Sequence, residues 1–205
     1  MLSLLTEPEA WRVASPPPGV PADLALAAAA GAGDPEASER FVRRALPLVR
    51  QVARALIADR TESEDALQLA LIEVLGAAPT FRGTGPLDHW IRKVASRAVL
   101  RHARKTRSSR LHGLETPIEA RSIGGATVLE SLPRPLEQYL RMLPEPQREA
   151  LVLRHALGHT IPEIAELTEA PEPTVISRIK KARLELRRLI QRDINLGVCP
   201  VASTS

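Results

Sequence analysis

Small hydroxyl groups and cations recur on one side of the segment from residue 172 to residue 190. In helical spacing this side carries groups that can bond to DNA base edges or phosphates: Thr174, Ser177, Arg178, Lys181 and Arg183. The opposite side is apolar, with Val175, Ile179, Ala182, Leu186 and Leu189. A helix with these two faces fits the major groove of DNA. The alternative is a basic helix that only faces solvent.

The preceding residues predict how this helix is held. Ile161, Ile164, Ala165 and Leu167 form the apolar face of a shorter helix. The chain breaks at residues 168–171, and Pro173 suits the first turn of the next helix, where a missing N–H costs nothing. Helix, tight turn and basic helix in this order predict a helix-turn-helix, which favours DNA binding over a solvated surface helix.

A second group of cations lies in the middle of the chain. Along a helix predicted from about Leu87 to Arg107, one face carries Lys93, Arg97, Arg101, Arg104 and Lys105. No carboxylate is interleaved with these residues, so the usual i,i+4 ion pairs cannot form there. We interpret this basic stripe as a track for DNA phosphates. Neutralising about four or five phosphates would give a log–log salt slope of roughly −3 to −4.5.

Composition predicts an all-α protein of two small helical domains joined by a flexible linker. The 205 residues are 44% hydrophobic but only 2% aromatic, and β-branched runs are absent. Cys199 is the single cysteine, which excludes an internal disulfide framework. No apolar run approaches the roughly 18–20 residues needed to span a bilayer, so we expect no membrane insertion and a cytoplasmic location.

Enzymatic chemistry finds little support in the motifs. A phosphate-binding glycine loop, a dinucleotide fingerprint and a nucleophile–base grouping are all missing, so we expect neither catalysis nor a cofactor. His155 and His159 are four residues apart, but Gly158 between them and the lack of nearby thiolates argue against a metal site.

Proline, glycine and serine divide the chain into five predicted segments. These are a flexible tail with at most a short helix (1–32), a helical domain (33–107), a linker (108–132), the helix-turn-helix domain (133–193) and a C-terminal tail (194–205). Helices from Leu136 to Met142 and from Glu145 to Leu157 should lie beneath the helix-turn-helix.

The first domain contains a helix with an unusual edge. Thr61 and Glu64 form a capping-box pattern, which predicts a helix start at Thr61. Asp65, Gln68 and Ile72 then lie side by side as a polar edge next to exposed apolar surface, which suits a partner helix. The alternative is that Asp65 only complements the helix dipole.

Two blocks of sequence resemble the second and fourth regions of bacterial sigma factors of the extracytoplasmic-function group. The first reads ESEDALQLALIEVL and then FRGTGPLDHWIRKVASRAVLRHARK; the second reads LPEPQREALVLRHALGHTIPEIAEL and then PTVISRIKKAR. The resemblance covers about residues 33–192. The chain has only a linker between the two blocks and no third region. It implies a transcription initiation factor that binds core RNA polymerase and directs it to specific promoters.

The resemblance, taken together with the apolar edge and the basic faces described above, assigns residues to partners. Polymerase would bind Glu64, Asp65, Gln68, Leu69 and Ile72. The −10 element, including its locally melted strand, would be engaged by Phe81, Arg82, Trp90, Lys93, Arg97, Arg101, Arg104 and Lys105. The duplex −35 element would be read by Thr174, Ser177, Arg178, Lys181 and Arg183.

Regulation and location follow from the same resemblance. It implies an anti-sigma factor, often membrane-anchored, that covers apolar edges such as Leu69 and Ile72. The chain would be associated with the nucleoid when active and held at the membrane when inhibited. The alternative is a LuxR-type helix-turn-helix regulator with an N-terminal sensing domain, but such domains need strands, and residues 34–107 predict none.

Several departures from the family pattern affect the predicted surfaces. Leu69 stands where the family usually has an acidic residue, and Ile176 stands where it usually has a Lys. Arg97 and Arg101 stand where the family usually has Asn and Asp. Glu169 stands where a turn glycine is usual, and a Glu at positive φ would cost on the order of 1 kcal/mol. This cost predicts a turn that is built differently.

Overall fold

The computed structural model describes residues 22–110 and 132–197. Over these ranges the chain forms α-helices and one short 3₁₀ turn, with no strand, so the all-α prediction is confirmed. The helices are α1 (Ala22–Gly31), α2 (Pro35–Leu56), α3 (Arg60–Ala77), α4 (Leu87–Arg110), α5 (Leu136–Met142), α6 (Glu145–His155), α7 (Ile161–Thr168) and α8 (Glu172–Asn195), and the 3₁₀ turn is Ala78–Thr80. None of these helices is both long enough and apolar enough to cross a membrane.

Helices α2, α3 and α4 pack around one apolar core. Their inward faces recur every three or four residues, as amphipathic helices require, and bury Phe41, Val49, Val52, Ala66, Ala70, Val74, Ile91 and Ala95. Helix α2 begins where Asp34 caps it, since a side-chain oxygen of Asp34 accepts a 2.6 Å hydrogen bond from the Ala37 N–H. The α2–α4 bundle carries the basic stripe and the predicted polymerase edge.

Helix α1 belongs to this bundle. Ala27 and Ala30 are buried against it. Arg44 of α2 binds Asp23 of α1 at 2.6 Å and Asp88 of α4 at 2.7 Å, and so ties three helices together. The short helix expected within residues 1–32 therefore contributes to the core, while residues 1–21 of the predicted tail lie outside the described part of the chain.

The predicted capping residue of α3 is wrong by two positions. The helix begins at Arg60 and is capped by Asp59, whose side chain accepts a 2.8 Å hydrogen bond from the Glu62 N–H. Glu64 pairs instead with Arg60 at 3.1 Å, so the capping box of Thr61 and Glu64 does not form. Asp59 takes the capping position because it has the extended backbone that an N-cap needs.

Helices α5 to α8 form a second bundle. The inward face of α8 buries Val175, Ile179, Ala182 and Leu189, and α6 lies against it as predicted. A capping box does form at α7, where Thr160 and Glu163 satisfy each other's backbone N–H groups. Near the end of α8 the buried Asp193 accepts hydrogen bonds from Arg134 at 2.7 Å and from Tyr139 at 3.1 Å, which fixes the entry to α5.

The turn between α7 and α8 is left-handed at Glu169, with φ of 53°. The prediction of a differently built turn is therefore wrong. The glycine-type conformation is kept, and a glutamate adopts it.

The two bundles pack against each other. Helix α4 lies against α7, and α2 lies against α6. Helix α4 continues to Arg110, into the predicted linker 108–132, and α8 continues to Asn195, past the predicted boundary at 193. Residues 111–131 of the linker, and the tail from residue 198 with Cys199, lie outside the described residues.

Candidate nucleic-acid interface

The helix-turn-helix presents the outer face of α8 to solvent. Ser177, Lys181 and Arg183 are exposed, and Thr174 and Arg178 are half-buried on the same side. The fully buried Val175 and Ala182 hold the opposite side against the second bundle. Thr174, Ser177, Arg178 and Lys181 therefore lie together on one accessible side of α8, while Arg183 is exposed at the opposite edge of the apolar face.

The basic stripe of α4 is only partly free. Lys105 and Arg101 are exposed, and Arg101 binds Glu73 of α3 at 2.9 Å. Lys93 lies 3.2 Å from a carboxylate oxygen of Glu166, and Arg97 also pairs with Glu166. The absence of acidic residues within the stripe is thus compensated by carboxylates from other helices.

Arg104 makes the most extensive contact of the stripe with α7. One of its terminal nitrogens binds Glu169 at 2.5 Å, and the other binds the Leu167 carbonyl oxygen at 2.7 Å. Arg107 of α4 pairs with Glu145 of α6. The stripe therefore contacts the second bundle along much of its length.

Phe81 does not lie at the surface expected of a DNA contact. It is 5% exposed and packs against Trp90, with ring centroids 5.6 Å apart and planes tilted by 59°. The sequence placed Phe81 in a turn-rich loop, but the loop folds back and buries the ring. Trp90 is half-buried, and Arg82 is exposed.

A polar contact that the sequence did not predict is buried between the bundles. The Ser96 hydroxyl of α4 lies 2.9 Å from Nε2 of His159, and both side chains are fully buried. Nδ1 of His159 has no hydrogen-bond partner and lies 3.9 Å from Glu163, too far for a hydrogen bond. Serine, histidine and carboxylate thus occur in the order of a catalytic triad, but no substrate can reach the serine.

The electrostatics of this contact favour a neutral imidazole. Burial lowers the pKa of His159, and the positive charges of Lys93 and Arg92 lower it further, while Glu163 acts in the opposite direction. His155 is exposed, whereas His159 is fully buried, so the two imidazoles lie in different surroundings. The described residues hold no group of three possible metal ligands.

The pKa of Glu163 is shifted by the cap of its own helix and by a contact with the other bundle. Burial alone would raise its pKa, but hydrogen bonds from the Thr160 N–H, from His89 and from the Thr160 hydroxyl together lower the pKa to about 2. The His89 Nε2 atom lies 2.9 Å from Glu163. Glu163 therefore stays ionised throughout the physiological pH range.

The predicted polymerase edge is accessible along α3. Glu64, Asp65 and Gln68 are exposed, and the large apolar side chains of Leu69 and Ile72 are 49% and 69% exposed. Two apolar side chains exposed side by side, next to polar groups, are typical of a surface that a partner covers.

Sequence patterns do not reveal the residues that join the two bundles. Ser96, Glu163 and Glu166 carry no predicted role, His159 is considered only as a metal ligand, and Glu169 is considered only as a turn residue. One signal was available: α7 has carboxylates at 163, 166 and 169, and α4 has cations with no acidic partners. Complementary charge on two helices indicates that they can pair but not that they do.

Comparison with known families accounts for both bundles. Residues 41–109 match the family model described as sigma-70 region 2, and residues 134–186 match the model described as sigma-70, region 4. Together the two models cover more than half of the chain, in the order that the sequence blocks predicted.

Individual proteins show the same relationship. The chain is 29% identical to the extracytoplasmic-function (ECF) RNA polymerase sigma factor SigM of Mycobacterium tuberculosis, over 86% of this chain and 88% of that protein. It is 25% identical to the RNA polymerase sigma-H factor of Pseudomonas aeruginosa, over 78% of this chain and 89% of that protein.

Solved structures share the fold. The sigma factor RpoE from Bartonella quintana, solved with the anti-sigma factor NepR, superposes with a TM-score of 0.58 at 24% identity, covering 76% of this chain and 97% of that one. CnrH, solved with the cytosolic domain of CnrY, superposes with a TM-score of 0.53 at 22% identity, covering 84% and 99%. With both regions matched in order, the chain belongs to the sigma-70 family, in its extracytoplasmic-function group, and is a transcription initiation factor that directs RNA polymerase to promoters.

Proposed function

We propose that the two bundles divide promoter recognition between them. The α1–α4 bundle binds core RNA polymerase through the exposed edge of α3 and engages the −10 element through the stripe of α4. The α5–α8 bundle reads the −35 element through the outer face of α8. This division is supported by two separate accessible surfaces. The surface on α3 combines apolar and polar side chains, and the surface on α8 is basic.

Each surface suits the partner assigned to it. Leu69 and Ile72 give α3 apolar area for a protein partner, and Asp65 and Gln68 add polar groups that fix its register. Ser177 and Arg178 can bond to base edges, whereas Lys181 and Arg183 provide charge for phosphates. The family consists of non-catalytic initiation factors, and this chain would act by binding alone, in the cytoplasm.

An inhibitory protein partner is the second part of the proposal. The relatives of known structure were solved with NepR and with the cytosolic domain of CnrY, and the first of these is named an anti-sigma factor. Leu69 and Ile72 remain exposed although the bundles are packed together, so a free molecule offers them to a competitor of polymerase. We propose a stoichiometric anti-sigma partner, anchored at the membrane or free, that contacts this edge.

Co-purification with core polymerase tests the proposal directly. The chain and purified core enzyme are mixed and separated by size-exclusion chromatography, with Leu69→Asp and Ile72→Asp combined as the test variant. We expect the native chain to co-elute and the variant to elute mainly as free protein with unchanged helicity. Equal co-elution of the two proteins would contradict the assignment of α3.

A further inference from the structure

Helix α7 and the residue that caps its C-terminus turn three carboxylates toward the basic stripe of α4. Glu163 lies 3.9 Å from the Lys93 ammonium, and Glu166 lies 3.2 Å from it. Glu166 also pairs with Arg97. Glu169, at the left-handed turn, binds Arg104 at 2.5 Å. We refer to Glu163, Glu166 and Glu169 as the acidic face of α7.

These carboxylates bind cations of the stripe in the way that DNA phosphates would. A guanidinium donates parallel N–H bonds to phosphate oxygens, and Arg104 directs its two terminal nitrogens at a carboxylate and a carbonyl oxygen in the same manner. Arg97 and Lys93 meet on a single carboxylate, Glu166. Three cations assigned to DNA are thus neutralised by groups of the same chain.

The recognition helix is left out of this contact. Ser177, Lys181 and Arg183 of α8 are exposed, whereas Lys93, Arg97 and Arg104 of the α4 stripe are paired with carboxylates of the second bundle. The packed arrangement therefore occupies part of one proposed DNA-binding surface and leaves the other open.

We propose that the acidic face of α7 is an internal competitor of promoter DNA for the α4 stripe. The inference rests on the proposed role of α4 in −10 binding. In the packed form the carboxylates pair with Lys93, Arg97 and Arg104, so these three of the five cations of the stripe are available to phosphates only after α4 and α7 separate. The apparent affinity of the chain for −10 DNA then equals the affinity of the open form multiplied by the fraction of molecules that are open.

The contact is built so that DNA can displace it. The Arg97–Glu166 and Arg104–Glu169 pairs have side chains that are 41–78% exposed, so salt and competing polyanions reach them. Only the Ser96–His159 hydrogen bond is fully buried. A contact made mostly of exposed ion pairs, with only one buried hydrogen bond, can open and close. It therefore suits a switch better than a permanent interface.

The test separates opening from DNA binding. In a Cys199→Ser background, Arg40→Cys on α2 and Gln191→Cys on α8 carry dyes for Förster transfer between the bundles, since both positions are exposed. The test variant combines Glu166→Gln and Glu169→Gln. The control combines Glu36→Gln and Glu39→Gln on α2, which changes the net charge equally but away from α4. Fluorescein-labelled oligothymidylate is the DNA probe.

We expect the test variant to show lower transfer efficiency and tighter oligothymidylate binding than the control. If a tenth or less of the native chain is open, the affinity gain is about tenfold or more. In a separate variant, Arg97→Glu combined with Glu166→Arg restores this pair with reversed charges, and it should give a higher transfer efficiency than Arg97→Glu alone.

Two results would overturn the inference in distinguishable ways. Unchanged transfer efficiency in the test variant would show that the acidic face does not hold the bundles together, with the proposed function unaffected. Lower transfer efficiency with unchanged oligothymidylate affinity would show that the α4 stripe is not a DNA track. That result would remove both the competitor role and the −10 assignment of α4.

Discussion

Arg104 of α4 binds Glu169 at 2.5 Å, and Glu169 is the one non-glycine residue with positive φ among the described residues. A position that favours glycine for its backbone is thus occupied by a side chain that reaches the other bundle. The cost of the left-handed backbone, on the order of 1 kcal/mol, is offset in part by an exposed ion pair worth about 0–1 kcal/mol. We infer that Glu169 serves the contact between bundles more than the turn.

Substitutions at Glu169 separate these two effects. Glu169→Gly and Glu169→Gln remove the same charge, but only glycine relieves the left-handed strain. We expect the glycine variant to be more stable than the glutamine variant by about 1 kcal/mol in urea denaturation. Equal free energies of unfolding would mean that the turn is not strained at this residue.

The start of α3 offers a direct test of the cap. Asp59→Ala should lower the free energy of unfolding by about 1 kcal/mol, because the Glu62 N–H loses its acceptor. Thr61→Ala, the matched change at the position that the sequence favoured, should have an effect within about 0.5 kcal/mol. The reverse order of the two effects would restore the capping box of Thr61 and Glu64.

Much of the fold could be predicted from the sequence, because the apolar periodicity of each helix is a local property. The bounds of α5 are those predicted, and α7, its turn and α8 follow the predicted order. The cap at Asp59 was missed because two capping residues lie within three positions and only the backbone geometry decides between them. Burial of Phe81 and the Ser96–His159 bond depend on residues distant in sequence, which periodicity cannot reveal.

Docking on polymerase should depend on the polar edge of α3. Asp65→Arg combined with Gln68→Ala should weaken binding to core enzyme at least several-fold, since charge-assisted contacts at an interface contribute about 1–3 kcal/mol. Both side chains are exposed, so the melting temperature should stay nearly constant. Fluorescence anisotropy of the labelled chain measures the affinity, and an unchanged dissociation constant would count against this edge.

A randomised promoter library should distinguish the α8 residues that contact bases from the α4 residues that contact phosphates. Ser177→Ala and Arg178→Ala should relax base preference in the −35 element, because each base-edge contact contributes about 1–3 kcal/mol of discrimination. Lys105→Ala should weaken binding to all sequences alike and flatten the salt dependence, since Lys105 is an exposed cation of the α4 stripe. Identical library profiles for the α8 and α4 variants would contradict the division of roles.

The contact between bundles should loosen in acid because of His159. Its pKa is lowered in the packed form, chiefly by burial, and returns toward the ordinary value of about 6.5 when the bundles separate. Between those two values the open form binds more protons, so a falling pH favours opening. Förster transfer between α2 and α8 should therefore decrease as the pH falls below about 6.5.

Two variants test whether His159 causes this pH dependence. His159→Gln should abolish it, and His155→Gln, at an exposed histidine nearby, should leave it intact. Glu163, with a pKa of about 2, stays ionised in this range. His89, which pairs with Glu163, is removed as a contributor by repeating the titration in a His89→Gln background. A profile that survives His159→Gln would assign the response to another group.

Promoter-dependent initiation is the central claim, and transcription with purified components measures it most directly. Core RNA polymerase is incubated with the chain and a genomic library of promoter fragments, and transcript 5′ ends are sequenced. We predict new start sites that share paired −35 and −10 elements, absent with core enzyme alone and shifted in −35 sequence by Arg178→Ala. A set of start sites identical to that of core enzyme alone, with duplex binding by α8 intact, would contradict the claim and indicate a regulator that binds DNA without polymerase.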